Sequence, residues 1–65
     1  MSSAEKQSAK LEREIAKLEE KLAALGREAE EYASDYQKLM ELDAQKEALD
    51  EELLALYDKW EELNS

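Results

Sequence analysis

Five basic side chains recur every three or four residues near the start of the chain, and cations at this spacing could bind an anionic ligand. They are Lys6, Lys10, Arg13, Lys17 and Lys21. On a helix this spacing places them along one side, where a row of cations can contact the phosphates of RNA or DNA. The alternative is a solvated helix face in which the cations pair with neighbours such as Glu14 and Glu20. The sequence leaves both interpretations open.

The residue types that usually carry catalysis or tight metal binding are missing. The chain has no histidine and no cysteine, which removes the usual general base near neutral pH, the thiol nucleophile and the soft metal ligands. The acidic runs at 28–31 and 50–52 lack the glycine turn of a calcium loop. The sequence also has no GxxxxGK[ST] phosphate loop. We therefore expect a protein that is not an enzyme and that holds no metal or cofactor of its own.

The composition predicts helix almost throughout. Ala, Glu, Lys, Leu and Arg make up about two thirds of the 65 residues, more than the roughly 50% typical of coiled coils. The net charge of −9 is concentrated in the second half, since residues 28–65 carry three basic and thirteen acidic side chains. Net acidity disfavours indiscriminate binding of nucleic acid, so any such contact must be confined to the basic row.

Nothing in the sequence predicts a membrane protein or a secreted one. The longest apolar run, at 53–57, is far shorter than the roughly 20 residues that span a bilayer. The N-terminus lacks the apolar centre of a signal peptide, and the absence of cysteine suits a reducing compartment. We expect a cytoplasmic location without a membrane partner.

Apolar residues at intervals of three and four predict two helices that pair through a heptad seam. The first series ends at Leu25, and Gly26 directly after it favours a C-terminal cap. Ser34 and Gln37 form a predicted capping box before the second series. We predict an all-α fold, a two-helix antiparallel coiled-coil hairpin. It forms a single domain over residues 1–65, with helix 1 at about 4–25, a connection at about 26–34 and helix 2 at about 35–63. Residues 27–33 of the connection are good helix formers, so they form either a short helical turn or an open loop.

The two predicted helices can be aligned so that apolar residues meet along their whole length. The register that buries the most apolar surface places Ser8 opposite Leu56, and Ala4 opposite Trp60. Small residues of helix 1 would then meet large residues of helix 2. The predicted helix-pairing residues are Leu11, Ile15, Leu18, Leu22, Leu25, Leu39, Leu42, Leu49, Leu53, Leu56 and Trp60.

Four large side chains fall outside this seam. Tyr36 and Met40 lie one turn apart near the bend, and Leu54 and Tyr57 lie together near the C-terminus. They either broaden the contact between the two helices or mark a docking patch for a partner domain or a second copy. The sequence does not separate these interpretations.

Three segments suggest a family. LEREIAKLEEKL (11–22), EYASDYQKL (31–39) and ALDEELLALYDKWEEL (48–63) resemble the small C-terminal coiled-coil domain of ABC-F ATPases, the Uup-like soluble ABC proteins. The most specific part is the aromatic-x-x-Trp-Glu-Glu-Leu ending. The family usually has prolines near the start of the first helix and in the connection, and an arginine just before the tryptophan. This sequence has no proline, and Lys59 takes the place of the arginine.

The resemblance implies a functional context. Residues 1–65 would be the C-terminal part of a cytoplasmic ATPase with two nucleotide-binding domains, acting on ribosomes in translation. ATP and Mg would belong to those domains, and the domain's partners would be RNA, DNA or the ribosome, together with its own ATPase domains. The competing hypothesis is a purely structural or oligomerisation coiled coil without a nucleic-acid partner.

Overall fold

The computed structural model describes residues 3–65, which form two long helices packed side by side. Helix α1 spans Ser3–Glu31 and helix α2 spans Tyr36–Asn64. Together they make a rod of 50 × 15 × 12 Å. Residues 1 and 2, which the predicted domain includes, lie outside the described part of the chain. The predicted all-α, two-helix antiparallel hairpin is confirmed.

The first helix continues past the residue at which the sequence predicted its end. Gly26 lies inside α1, and no glycine of the described chain has a positive φ, so the predicted cap at Gly26 and the connection at 26–34 are wrong. A glycine costs a helix only about 1 kcal/mol relative to alanine. Residues 27–31 are good helix formers, and continuing the helix places Ala29 in the lining of one apolar groove with Leu39 and Leu42. Tertiary packing therefore outweighs the local stop signal.

A short turn at residues 32–34 connects the helices. The amide of Asp35 donates to the carbonyl of Tyr32 at 2.9 Å, and the amide of Leu39 donates to the carbonyl of Asp35 at 3.0 Å. Asp35 has extended backbone angles, and its side chain accepts a hydrogen bond from the amide of Lys38 at 3.1 Å. Asp35 is therefore the N-cap of α2, one residue after Ser34, where the capping box was predicted.

Replacing Asp35 with alanine is expected to lower the free energy of unfolding by about 1 kcal/mol, because one free amide of the first turn of α2 loses its acceptor. Urea unfolding followed by circular dichroism measures this change. Ser34→Ala is the matched control and should leave the unfolding midpoint unchanged. A loss of stability in the Ser34 variant but not in the Asp35 variant would restore the predicted capping box.

The core is a single row of side chains between the two helices. Leu42 is the most deeply buried, with 3% of its surface exposed, and Ile15 and Leu53 are also buried. Two helices provide no third layer to close the row, so most of the pairing residues are covered only in part. The half-buried members of the predicted set are Leu11, Leu18, Leu22, Leu25, Leu39, Leu49, Leu56 and Trp60.

The predicted register is wrong by about one heptad. Ser8, predicted opposite Leu56, instead accepts a hydrogen bond at Oγ from Nδ2 of Asn64 at 3.1 Å. Ala4, predicted opposite Trp60, lines a groove with Asn64 at the end of the rod. The extra helical residues 26–31 move the turn along the chain, and this displaces every pairing across the seam.

Candidate nucleic-acid interface

The five cations of the basic row are all exposed on α1. Because the helix is continuous from Ser3 to Glu31, Lys6 and Lys21 lie about 22 Å apart along its axis. Within residues 3–65 the ion pair found at 4.0 Å or less joins Lys38 to Glu41, and none of the five cations has a carboxylate at that distance. At this distance the cations form no ion pairs with neighbouring acidic residues of the described chain, and a solvated helix face stays open as the alternative. Their charges remain accessible to an external anion.

The phase of the helix explains where each cation lies. Lys10, Lys17 and Lys21 each directly precede a seam leucine, so they project about 100° away from the seam. These three line shallow grooves along one flank of the hairpin. Lys6 and Arg13 lie further round the helix, away from these three grooves. The row therefore covers a flank and part of the outer side of α1.

Acidic residues share part of this flank. Glu14 and Glu52 line the same groove as Lys17 and Lys21, and Glu62 lines the groove of Lys10. None of these carboxylates lies within 4.0 Å of a cation of the row. They reduce the positive potential on the α2 side of the flank.

Lys59 is a sixth cation on this flank, and it was missed from the sequence. It lines a groove with Lys10 and Leu11, whereas the predicted register, with Trp60 opposite Ala4, placed it at the end of the row beside Lys6. In the sequence, Lys59 stands out only as the residue that precedes Trp60. Only the observed register brings it beside Lys10, so periodicity within either helix could not have shown this neighbourhood.

The opposite flank carries hydrogen bonds between the helices instead of a basic row. The hydroxyl of Tyr57 donates to the carboxylate of Glu19 at 2.8 Å. This hydrogen bond, together with partial desolvation and the negative charge of Glu19, raises the pKa of Tyr57 above its ordinary value. Tyr57 therefore remains a neutral donor that ties α2 to α1.

The C-terminal end of the rod is held together near Trp60. The side-chain amide of Asn64 donates both to the carbonyl of Trp60 at 2.8 Å and to Oγ of Ser8 at 3.1 Å. Trp60 is half-buried, and its Nε1 is buried without a hydrogen-bond partner among residues 3–65. An unpaired buried donor is unfavourable, so packing of the indole ring holds Trp60 in place. Its role is structural.

The remaining features of residues 3–65 give no sign of a chemical site. No group of three or more acidic side chains is arranged to hold a metal ion in this part of the chain. No helix of the described residues is long and apolar enough to cross a membrane. The surfaces that can act on another molecule are the charged flanks and the apolar residues between them.

The fold and these surfaces define the protein as a small helical-hairpin domain whose described residues contain no catalytic constellation. The family model for the ABC transporter C-terminal domain matches residues 1–65. The chain belongs to that family, and the resemblance to the C-terminal domain of ABC-F proteins is confirmed. Comparison with curated proteins and with solved structures gave no match.

Proposed function

We propose that this domain is a non-catalytic interaction module of a cytoplasmic ABC-F ATPase and that it contributes to nucleic-acid binding, with ribosomal RNA or DNA as the ligand. It needs no cofactor of its own, since ATP and Mg act in the ATPase domains of the parent protein. The ribosome and those ATPase domains are its partners in translation. Membership of the ABC transporter C-terminal domain family supports the assignment to an ABC protein.

The observation that carries the proposal is the unpaired basic row on α1. Five exposed cations spread over about four turns, without carboxylates within 4.0 Å among residues 3–65, can each approach a phosphate. The contact is electrostatic and does not read bases, because phosphate contacts position a protein without specifying sequence. This restricts the net-acidic chain to binding nucleic acid through one side of α1.

The proposal is tested by titrating the ¹⁵N-labelled chain with a single-stranded RNA of about 20 nucleotides at several salt concentrations. We expect the amide signals of Lys10, Arg13, Lys17 and Lys21 to shift. If all five cations contact phosphate, log Kobs should fall with log salt at a slope of about −3 to −4. No shift at about 50 mM salt would refute nucleic-acid binding by the isolated domain.

A pair of matched variants separates the contribution of the basic row to RNA binding from the contribution of the overall net charge. Lys17→Glu with Lys21→Glu removes two cations of the row and should weaken RNA binding at least tenfold at about 50 mM salt. Lys38→Glu with Lys46→Glu changes the net charge equally, on α2 and outside the row, and should weaken it less than threefold. Equal losses in the two variants would mean that net charge alone, and not the row, determines binding.

A further inference from the structure

Three large apolar side chains of α2 are exposed on one side of the helix. Tyr36, Met40 and Leu54 have 77%, 56% and 65% of their surfaces exposed. They are separated by four and fourteen residues, which places them on one face at 3.6 residues per turn. They therefore do not broaden the contact with α1. Tyr36 and Met40 have the i, i+4 spacing of the apolar anchors through which helices recognise each other, and Leu54 lies fourteen residues further along the same face.

At its turn-proximal end this face opens into an apolar groove of about 520 Å³ between the two helices. Tyr36 and Met40 form part of its lining. A Cβ added to Gly26, also in the lining, would meet nothing within 4 Å, so the glycine leaves space at this point. The apolar lining consists mainly of Leu22, Leu25, Ala29, Leu39 and Leu42. The groove has room for a large apolar side chain from another molecule.

The charges around the three apolar residues have one sign. Six exposed carboxylates lie within about 60° of Leu54 around α2. By the same helical rotation per residue, Lys38 and Lys59 lie on the opposite side of α2. Lys46 borders the groove beside the seam. The six carboxylates are Asp43, Glu47, Asp50, Glu51, Asp58 and Glu61. The surface thus combines apolar anchors with a strongly negative surrounding.

We propose that this surface binds a basic amphipathic helix of a partner protein. The α2 docking face is defined as Tyr36, Met40 and Leu54 with the adjoining groove. Apolar side chains of the partner helix pack on these three residues and enter the groove beside Gly26, while its lysines and arginines face the carboxylates. Charge complementarity selects this occupant. Tyr36 and Leu54 lie about 27 Å apart along α2, so a partner helix that contacts both needs about five turns.

Other occupants fit the α2 docking face less well. The carboxylates around the face repel nucleic acid. Two copies that met through this face would bring their carboxylates together, and these would repel each other. A second copy could offer its basic row, but the exposed large apolar residues of the described chain lie on α2 and at Tyr32 in the turn. The α1 helix of a second copy therefore supplies charge without apolar anchors. The proposal is independent of the basic row and of RNA binding.

The test uses the 65-residue chain and a fluorescent peptide of about 20 residues, composed of leucine and lysine with all leucines on one helical face. The double variant Met40→Glu with Leu54→Glu adds two negative charges, so pure charge attraction would strengthen binding of this cationic peptide. Docking on apolar anchors predicts the opposite result, at least tenfold weaker binding at about 150 mM salt. Unchanged or tighter binding by the double variant would overturn the proposal.

Two controls complete the experiment. Gln45→Glu with Ala55→Glu adds the same charge away from the α2 docking face, and peptide affinity should stay within threefold of the parent chain; an equal loss there would refute docking at the face. A scrambled peptide of the same composition should bind at least tenfold more weakly, and equal binding would also refute it. Sedimentation tests the second copy: a dimer abolished by Met40→Glu with Leu54→Glu would assign the face to self-association and overturn the proposal.

Discussion

Replacing Leu42 with alanine is expected to lower the free energy of unfolding by about 2 to 5 kcal/mol, the range for truncating a buried leucine. Leu42 is the least exposed residue of the core, at 3%, and it contributes to the apolar lining of the groove between the helices together with Ala29. Because a chain of 65 residues buries little surface, this loss is comparable with the whole stability of the domain. We expect a largely unfolded variant at 25 °C.

Loss of helical circular dichroism at 222 nm and a lower urea midpoint measure the effect of Leu42→Ala. Leu54→Ala is the matched control, since it removes the same atoms from a side chain that is 65% exposed. Its stability should change by no more than about 0.5 kcal/mol. Equal destabilisation by the two variants would show that Leu54 is also covered in solution, which contradicts the free α2 docking face.

The helices and the residues that pair them could be predicted from the sequence because both depend on periodicity within one helix. The three buried residues Ile15, Leu42 and Leu53 all belong to the predicted pairing set. The exposure of the basic row could be predicted for the same reason. Lys17, for example, directly precedes the seam residue Leu18, so its side chain projects about 100° away from the seam. Neither feature requires knowledge of where the chain turns.

The relation between the helices could not be predicted, because it depends on the turn. A glycine after the last seam leucine is a common helix stop, and accepting it at Gly26 moved the predicted turn by several residues. That one error displaced every partner across the seam. The hydrogen bond of Ser8 with Asn64, that of Glu19 with Tyr57, and the position of Lys59 beside Lys10 were found only in the structure.

Substitutions at Gly26 test the continuous α1 helix directly. Gly26→Pro should lower the free energy of unfolding by about 3 kcal/mol or more, because proline removes the amide that bonds to the carbonyl of Leu22 and its ring clashes with that carbonyl. Gly26→Ala should instead raise it by about 0.5 to 1 kcal/mol. The backbone at Gly26 has no positive φ, and an added Cβ meets no atom within 4 Å.

The opposite signs of these two substitutions distinguish a helical Gly26 from a capping Gly26. If Gly26 ended the helix in a left-handed conformation, alanine would destabilise the domain through its Cβ, and proline would be excluded by its fixed negative φ. Both variants would then lose stability. Urea midpoints of the two variants measured against the parent chain decide the matter, and a lower midpoint for Gly26→Ala would contradict α1 as a single helix. A higher one would also support the observed register, since the turn can lie at residues 32–34 only if α1 continues through Gly26.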